Sequence, residues 1–310
     1  MTKEMAYYAQ QFLNVVQLST FYVPLAVAFA LIQSVTRKVF LSFGEVAMFG
    51  SFGAVYLCYY ALLNGADDLP AALFSLICAI LIAGAFGYGA AQAVFQPLLS
   101  KSTQAFMIAS IGFSIVVEEV MRLQTGGRDV WIPALFDGQM LVVWSGENRL
   151  QITMINGVAI LLSTLCVGGL AFVLAYTRFG RNWQACSQEL SLARLCGVDT
   201  QAVIRHTFML GAGLSAVSGW IVSVSYGGTN FSTGLMLGFK AMFAAVVGGF
   251  GSINGAIIGA ISLAILEVLW SSHFSTAYRD VGVFSIIIFV LLLRPEGLAG
   301  LNEKRESEVL

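Results

Sequence analysis

The sequence predicts an all-α polytopic membrane protein, a single helical bundle of about eight or nine transmembrane spans over residues 1–310. Three observations carry that expectation. Hydrophobic residues make up 58% of the chain and charged ones only 11%, whereas a soluble domain carries about 25% charge. Apolar runs of the roughly 17–25 residues that cross a bilayer recur from end to end. The interruptions are short and hold turn formers: Asn64-Gly65-Ala66-Asp67-Asp68 before Pro70, Tyr226-Gly227-Gly228-Thr229-Asn230, and Arg294-Pro295-Glu296-Gly297.

The spans are expected near residues 13–35, 46–64, 70–89, 104–121, 154–177, 206–224, 235–250, 254–271 and 281–294. The first has no small-residue cleavage signature, so it reads as a retained span and not a signal peptide. Lysine and arginine bias fixes the orientation. With a cytoplasmic C-terminus, Arg37, Lys38, Lys101, Arg178, Arg181, Arg194, Arg205, Arg294, Lys304 and Arg305 fall inside. Lys3, Arg122, Arg128, Arg149 and Arg279 fall outside, and nine spans put the N-terminus there too. The outer loop near 124–151 holds Trp131, Pro133, Phe136 and Trp144, aromatic residues suited to the membrane interface.

The inner loop, 178–205, is the most informative polar stretch. Trp183, Cys186, Leu190 and Ala193 form an imperfect apolar stripe on a short amphipathic helix. Gly197 can stop that helix in the left-handed conformation, and Asp199 or Thr200 can cap the next. The expected unit is helix, tight turn, helix.

Gly248-Gly249-Phe250-Gly251 reads as a helix interruption, since a phosphate-binding glycine loop needs a strand before it and water around it. Gly251, Gly255 and Gly259, four residues apart, are expected along one helix face that meets another backbone; leucine at Ala260, on another side, should be milder than leucine at Gly255. Gly211, Ser215 and Gly219 repeat the device.

Ionisable groups at membrane depth mark pathways or partners. Glu45, Lys240 and Glu267 are the candidates for a polar interior, while Glu118 and Arg122 read as an interfacial i, i+4 pair. Cys58, Cys78, Cys166, Cys186 and Cys196 lack paired spacing and read as packing residues, with no metal site. No catalytic constellation and no P-loop motif occurs, so the chain is expected to be no enzyme and to bind no cofactor; any ATP is used by partner subunits. A near-neutral charge gives no reason to invoke nucleic acid.

Three blocks are similar to one family: the stretch from Gly238-Phe239-Lys240 to Asn254-Gly255-Ala256, then Leu292-Leu293-Arg294-Pro295-Glu296-Gly297, and the loop Gly180-Arg181 to Gln188-Glu189 running into Ala193-Arg194-Leu195-Cys196-Gly197. The chain resembles the inner-membrane permease subunits of branched-chain amino acid ABC importers, of the LivH type, over nearly its whole length. The resemblance implies a second homologous permease, two cytoplasmic ABC ATPase subunits and a periplasmic solute-binding protein as partners, within the bacterial inner membrane. Ser191-Leu192-Ala193 to Gly197 looks like a degenerate form of the importers' ATPase-docking motif, whose first position is usually acidic, so Gln188, Glu189, Ala193, Arg194 and Gly197 are the expected coupling residues. One departure stands out. Where the family often carries polar Asn and His after the first span, this chain reads Phe40-Leu41-Ser42-Phe43-Gly44-Glu45. An ion-coupled secondary transporter, a membrane scaffold, or a permease for urea or short amides are the alternatives.

Overall fold

In lipid every backbone polar group must find its partner within the protein, and helices do so segment by segment. The computed structural model describes residues 3–132, 135, 139–142, 151–249, 251–294 and 297–298. Its helices are α1 (Lys3–Thr36), α2 (Phe43–Leu63), α3 (Asp68–Ala90), α4 (Gln96–Leu98), α5 (Thr103–Thr125), α6 (Met154–Tyr176), α7 (Arg178–Gln188), α8 (Leu190–Leu195), α9 (Thr200–Tyr226), α10 (Thr233–Gly248), α11 (Ile253–His273) and α12 (Arg279–Leu293). The nine expected spans fall on α1, α2, α3, α5, α6, α9, α10, α11 and α12.

Among the described residues, seven helical stretches are long and apolar enough to cross a membrane, one of them Asp68–Leu98, in which α3 passes through a π-turn at Ala91–Phe95 into α4. Pro97 stands where the turn gives way to α4; it has no N–H, and its ring disfavours an unbroken α-helix. The other two spans differ in character. α10 is a shorter apolar helix of 16 residues, and α5 is long enough at 23 residues but carries Glu118, Glu119 and Arg122.

Two ends of the bundle can be told apart by what meets there. At one, Arg37 reaches the carbonyls of Ser187 and Gln188, and Lys38 Nζ donates to the carbonyls of Leu98, Leu99 and Lys101 at 3.3, 2.9 and 2.8 Å. Partial burial pulls the Lys38 ammonium below its usual pKa. Gln96 Nε2 donates to the Gln201 carbonyl there, and Leu298 N to that of Val247. This is the basic end, and it collects the described residues assigned to the inside. Lys304 and Arg305 lie outside the described residues.

At the opposite end four short strands among the described residues interrupt the all-α pattern: β1 (Val130–Trp131), β2 (Gln139–Val142), β3 (Gln151–Thr153) and β4 (Gly228–Thr229). β1 pairs antiparallel with β4, and β2 with β3. Such ladders satisfy loop backbone groups that no helix supplies. Trp131 is exposed there as expected; Pro133, Phe136, Trp144 and Arg149 lie outside the described residues.

α9 runs through the middle of the bundle, packed against α1, α2 and α3. Its small residues permit this: Gly211 faces Ala28 and Ile32 of α1, and Gly219 faces Ala47 and Ser51 of α2. Trp220 is buried and donates its indole N–H to Ser75 Oγ of α3 at 3.0 Å. Nearer the basic end, Phe40 packs edge-on against Phe95 and Phe208, with ring centroids 4.5 and 5.3 Å away. Phe40 and Phe43 are therefore core residues, 2% and 1% exposed. The apolar departure at these positions builds the core.

α10 and α11 form an antiparallel pair with almost no side chain between them. A Cβ on Gly255 would strike the Gly248 carbonyl, and one on Gly259 would strike the Ala244 carbonyl. Gly251 does not belong to this face. It has φ +83° in the turn before α11, with nothing near a would-be Cβ, because the helix begins only at Ile253, capped by Ser252 Oγ accepting from Gly255 N. α11 packs against α1 on its other side, and Ala260 is fully buried.

Candidate translocation pathway and coupling loop

The antiparallel register that puts Gly259 on Ala244 carries Lys240 of α10 to Glu267 of α11, Nζ to Oε1 at 2.7 Å. The start of α12 adds two charges. Lys240 Nζ lies 3.1 Å from Asp280 Oδ1, and Arg279 Nε stands 3.6 Å from Asp280 and 3.8 Å from Glu267. Tyr22 of α1 joins from the far side, donating its hydroxyl proton to Glu267 Oε2 at 2.9 Å and accepting from Lys240 Nζ at 3.0 Å. Lys240 and Glu267 are 6% and 1% exposed. Burying charge is costly unless it is compensated, and here two cations face two anions. Asp280 sits in the first turn of α12, where the helix dipole favours an anion.

This network borders a cavity of about 310 Å³ near the β1–β4 ladder, lined among others by Tyr22, Trp131, Tyr226, Asn230, Lys240 and Arg279. Glu45 does not share it. It sits in the first turn of α2, where its Oε1 accepts from Ser114 Oγ of α5 at 3.0 Å and its Oε2 has no hydrogen-bond partner among the described residues. The carboxylate lies over Gly234 of α10, where a side chain would collide with it, and Gly44 meets the backbone of Gly234 and Gly238. Of the three candidate polar residues, two meet and the third stands apart.

The inner loop forms at the basic end. Thr177 Oγ1 accepts from Gly180 N to start α7, which buries Gly180, Trp183 and Cys186. Trp183 donates to the Leu31 carbonyl of α1 at 3.4 Å. Burial pushes the Cys186 thiol pKa up. The stripe spans two helices and not one: Glu189 is extended (φ −156°, ψ 111°), and α8 restarts at Leu190. Ala193 is buried while Leu192 and Leu195 are exposed. α8 ends in a Schellman turn, with Val198 N donating to Ala193 O and Gly197 N to Arg194 O, both at 3.0 Å, and Gly197 left-handed at φ +81°. Asp199 Oδ1 then caps α9 by accepting from Gln201 N and Ala202 N. Arg194 Nε donates to Thr200 Oγ1 at 2.9 Å across the turn. A second cavity, about 480 Å³, lies between Gln96–Ser100 and this helix pair.

Comparison with known proteins places this architecture. The family described as branched-chain amino acid transport system / permease component matches residues 11–293. The chain belongs to this permease family. It is 36% identical over 306 residues to the high-affinity branched-chain amino acid transport system permease protein LivH of Salmonella typhimurium strain LT2 and, likewise, of Escherichia coli K12, covering 98% of this chain and 99% of each relative. It is 30% identical over 301 residues to the BraD permease protein of Pseudomonas aeruginosa, covering 97% and 98%. The family is one of permease components and not of enzymes.

Several residues of this permease's polar sites were not legible. Nothing local marks Tyr22 or Ser114 among the residues of an apolar span, and Arg279 and Asp280 stand at a span boundary. Only the charges of Arg279 and Asp280 next to an apolar run could have flagged them. The pairing of Arg122 also differs: it makes a bidentate contact with Glu119, three residues before it, and not with Glu118. The Arg122 guanidinium reaches both Glu119 oxygens at that spacing.

Proposed function

We propose that this permease is the membrane-crossing subunit of an ATP-driven importer for branched-chain amino acids in a bacterial inner membrane, moving solute delivered by a periplasmic binding protein. Its partners are a second homologous permease and two cytoplasmic ATPases, which use the ATP. The observation that carries the reading is kinship along 98% of the chain with LivH. The basic end faces the cytoplasm, in keeping with the positive-inside bias. There the α7–α8 pair presents Leu192 and Leu195 outward, with Gln188, Glu189, Ala193, Arg194 and Gly197 forming the element that meets an ATPase. Glu45, Lys240 and Glu267 line or support the solute path, and residues 1–310 act as one permease domain.

Uptake of labelled leucine, isoleucine and valine, beside urea and acetamide, in cells carrying this permease with its co-encoded partners tests the reading. Uptake of all three amino acids is expected. Uptake of urea or amide without them would overturn the substrate assignment.

A further inference from the structure

The cavity bordered by the charged network contains two cations in different states of engagement. An ammonium has three N–H donors; Lys240 Nζ donates one to the Tyr22 hydroxyl at 3.0 Å and is ion-paired with Glu267 Oε1 at 2.7 Å and Asp280 Oδ1 at 3.1 Å, neither of which has a hydrogen-bond partner among the described residues. Lys240 is the more closely ion-paired of the two cations. Arg279 has five donors in a planar fork, yet its nearest described carboxylates stand at 3.6 and 3.8 Å, and its buried Nε finds no hydrogen-bond acceptor among the described residues. Its charge is balanced while its hydrogen bonding is not. A guanidinium in that condition fits a carboxylate, which it can bind with two parallel hydrogen bonds.

The rest of the cavity suits one class of carboxylate. Leu18, Phe21, Val222, Met236 and Leu237 supply apolar wall, and Asp129 adds an anion to the lining. At about 310 Å³ the space sits near the small end of ligand pockets, which run from roughly 300 to 1,000 Å³. We propose that this cavity is a transient receiving site for an aliphatic amino-acid zwitterion, with Arg279 binding the α-carboxylate and Lys240 holding Glu267 and Asp280 so that the fork stays available. The site rests on the importer reading and adds a specificity-determining residue to it.

A reporter cysteine at the cavity tests this, since none of the five native cysteines lines it. In cells making the complete transporter, Thr233→Cys should react with a membrane-impermeant methanethiosulfonate. L-Leucine should slow that labelling at least about threefold, whereas isoamylamine, the same skeleton without the carboxylate, should leave it unchanged. Adding Arg279→Gln should raise the half-protecting leucine concentration by about tenfold or more, the worth of a hydrogen bond to a charged group; Arg279→Lys should fall between. The parent reporter alone decides the matter if Arg279→Gln fails to fold. No labelling, or equal protection by leucine and isoamylamine, would overturn the site while leucine uptake in the same cells kept the importer reading intact. Loss of leucine uptake by the unmutated transporter would remove both.

Discussion

Lys240 and Glu267 allow the energetics of a membrane-buried ion pair to be measured within one network. Lys240→Met leaves Glu267 with the Tyr22 hydroxyl at 2.9 Å and Arg279 at 3.8 Å, and Asp280 with Arg279 at 3.6 Å. Glu267→Met leaves Lys240 with Asp280 at 3.1 Å and the Tyr22 hydroxyl at 3.0 Å. Removing one partner of a buried pair costs about 3–5 kcal/mol. A residual opposite charge remains in both variants, so each should sit at the lower end, about 3 kcal/mol. The double variant removes one charge of each sign and fills the space with apolar volume, so it should cost no more than either single change. Thermal unfolding of the detergent-purified protein, read by tryptophan fluorescence, should then fall by about 5 °C in each single variant and by no more in the double. A double variant that loses the sum of the two single losses would refute the reasoning, because it would mean that the contact at 2.7 Å carries no coupling.

Three further outcomes follow from other parts of the molecule. Gly259→Leu must push a side chain into the Ala244 carbonyl, at a cost of 1–3 kcal/mol or more; the yield of monodisperse protein on size exclusion should drop, while Ile258→Leu on the exposed side of α11 should match the parent. Gly197→Val strains a residue at φ +81° by about 1–2 kcal/mol, so co-purification of the ATPase subunits and uptake should both fall while membrane insertion persists. Alkaline phosphatase fused after Asp68 should be active and fused after Arg194 silent; activity after Arg194 would reverse the proposed orientation.

The spans were legible because a bilayer imposes length and apolarity on every crossing segment, and because the turn formers at Asn64–Asp68 and Tyr226–Asn230 stand where helices stop. The cap chemistry of Gly197 and Asp199 was legible for a similar reason, since left-handed backbone and exposed helical N–H groups leave few choices of residue. The charged network was not. Tyr22 and Glu267 are 245 positions apart, and no local pattern announces which face of α1 meets α11. The glycine repeat was half legible: spacing by four found Gly255 and Gly259 but carried the period through Gly251, across a helix start that Ser252 sets. Ala260 is buried beside that seam, because α11 is sandwiched between α10 and α1.

The α10–α11 pair is held at three levels: Gly255 on Gly248, Gly259 on Ala244, and Lys240 on Glu267. Two of these contacts involve backbone and no rotamer. A seam without rotamers has no soft coordinate: its helices cannot slide by repacking side chains, since there are none to repack, and a shift of one turn would bring Cβ atoms into carbonyls. The third level resists separation by charge. The hairpin is therefore the stiff plank of the bundle. Elsewhere the contacts run through side chains, as in the aromatic layer of Phe40, Phe95 and Phe208.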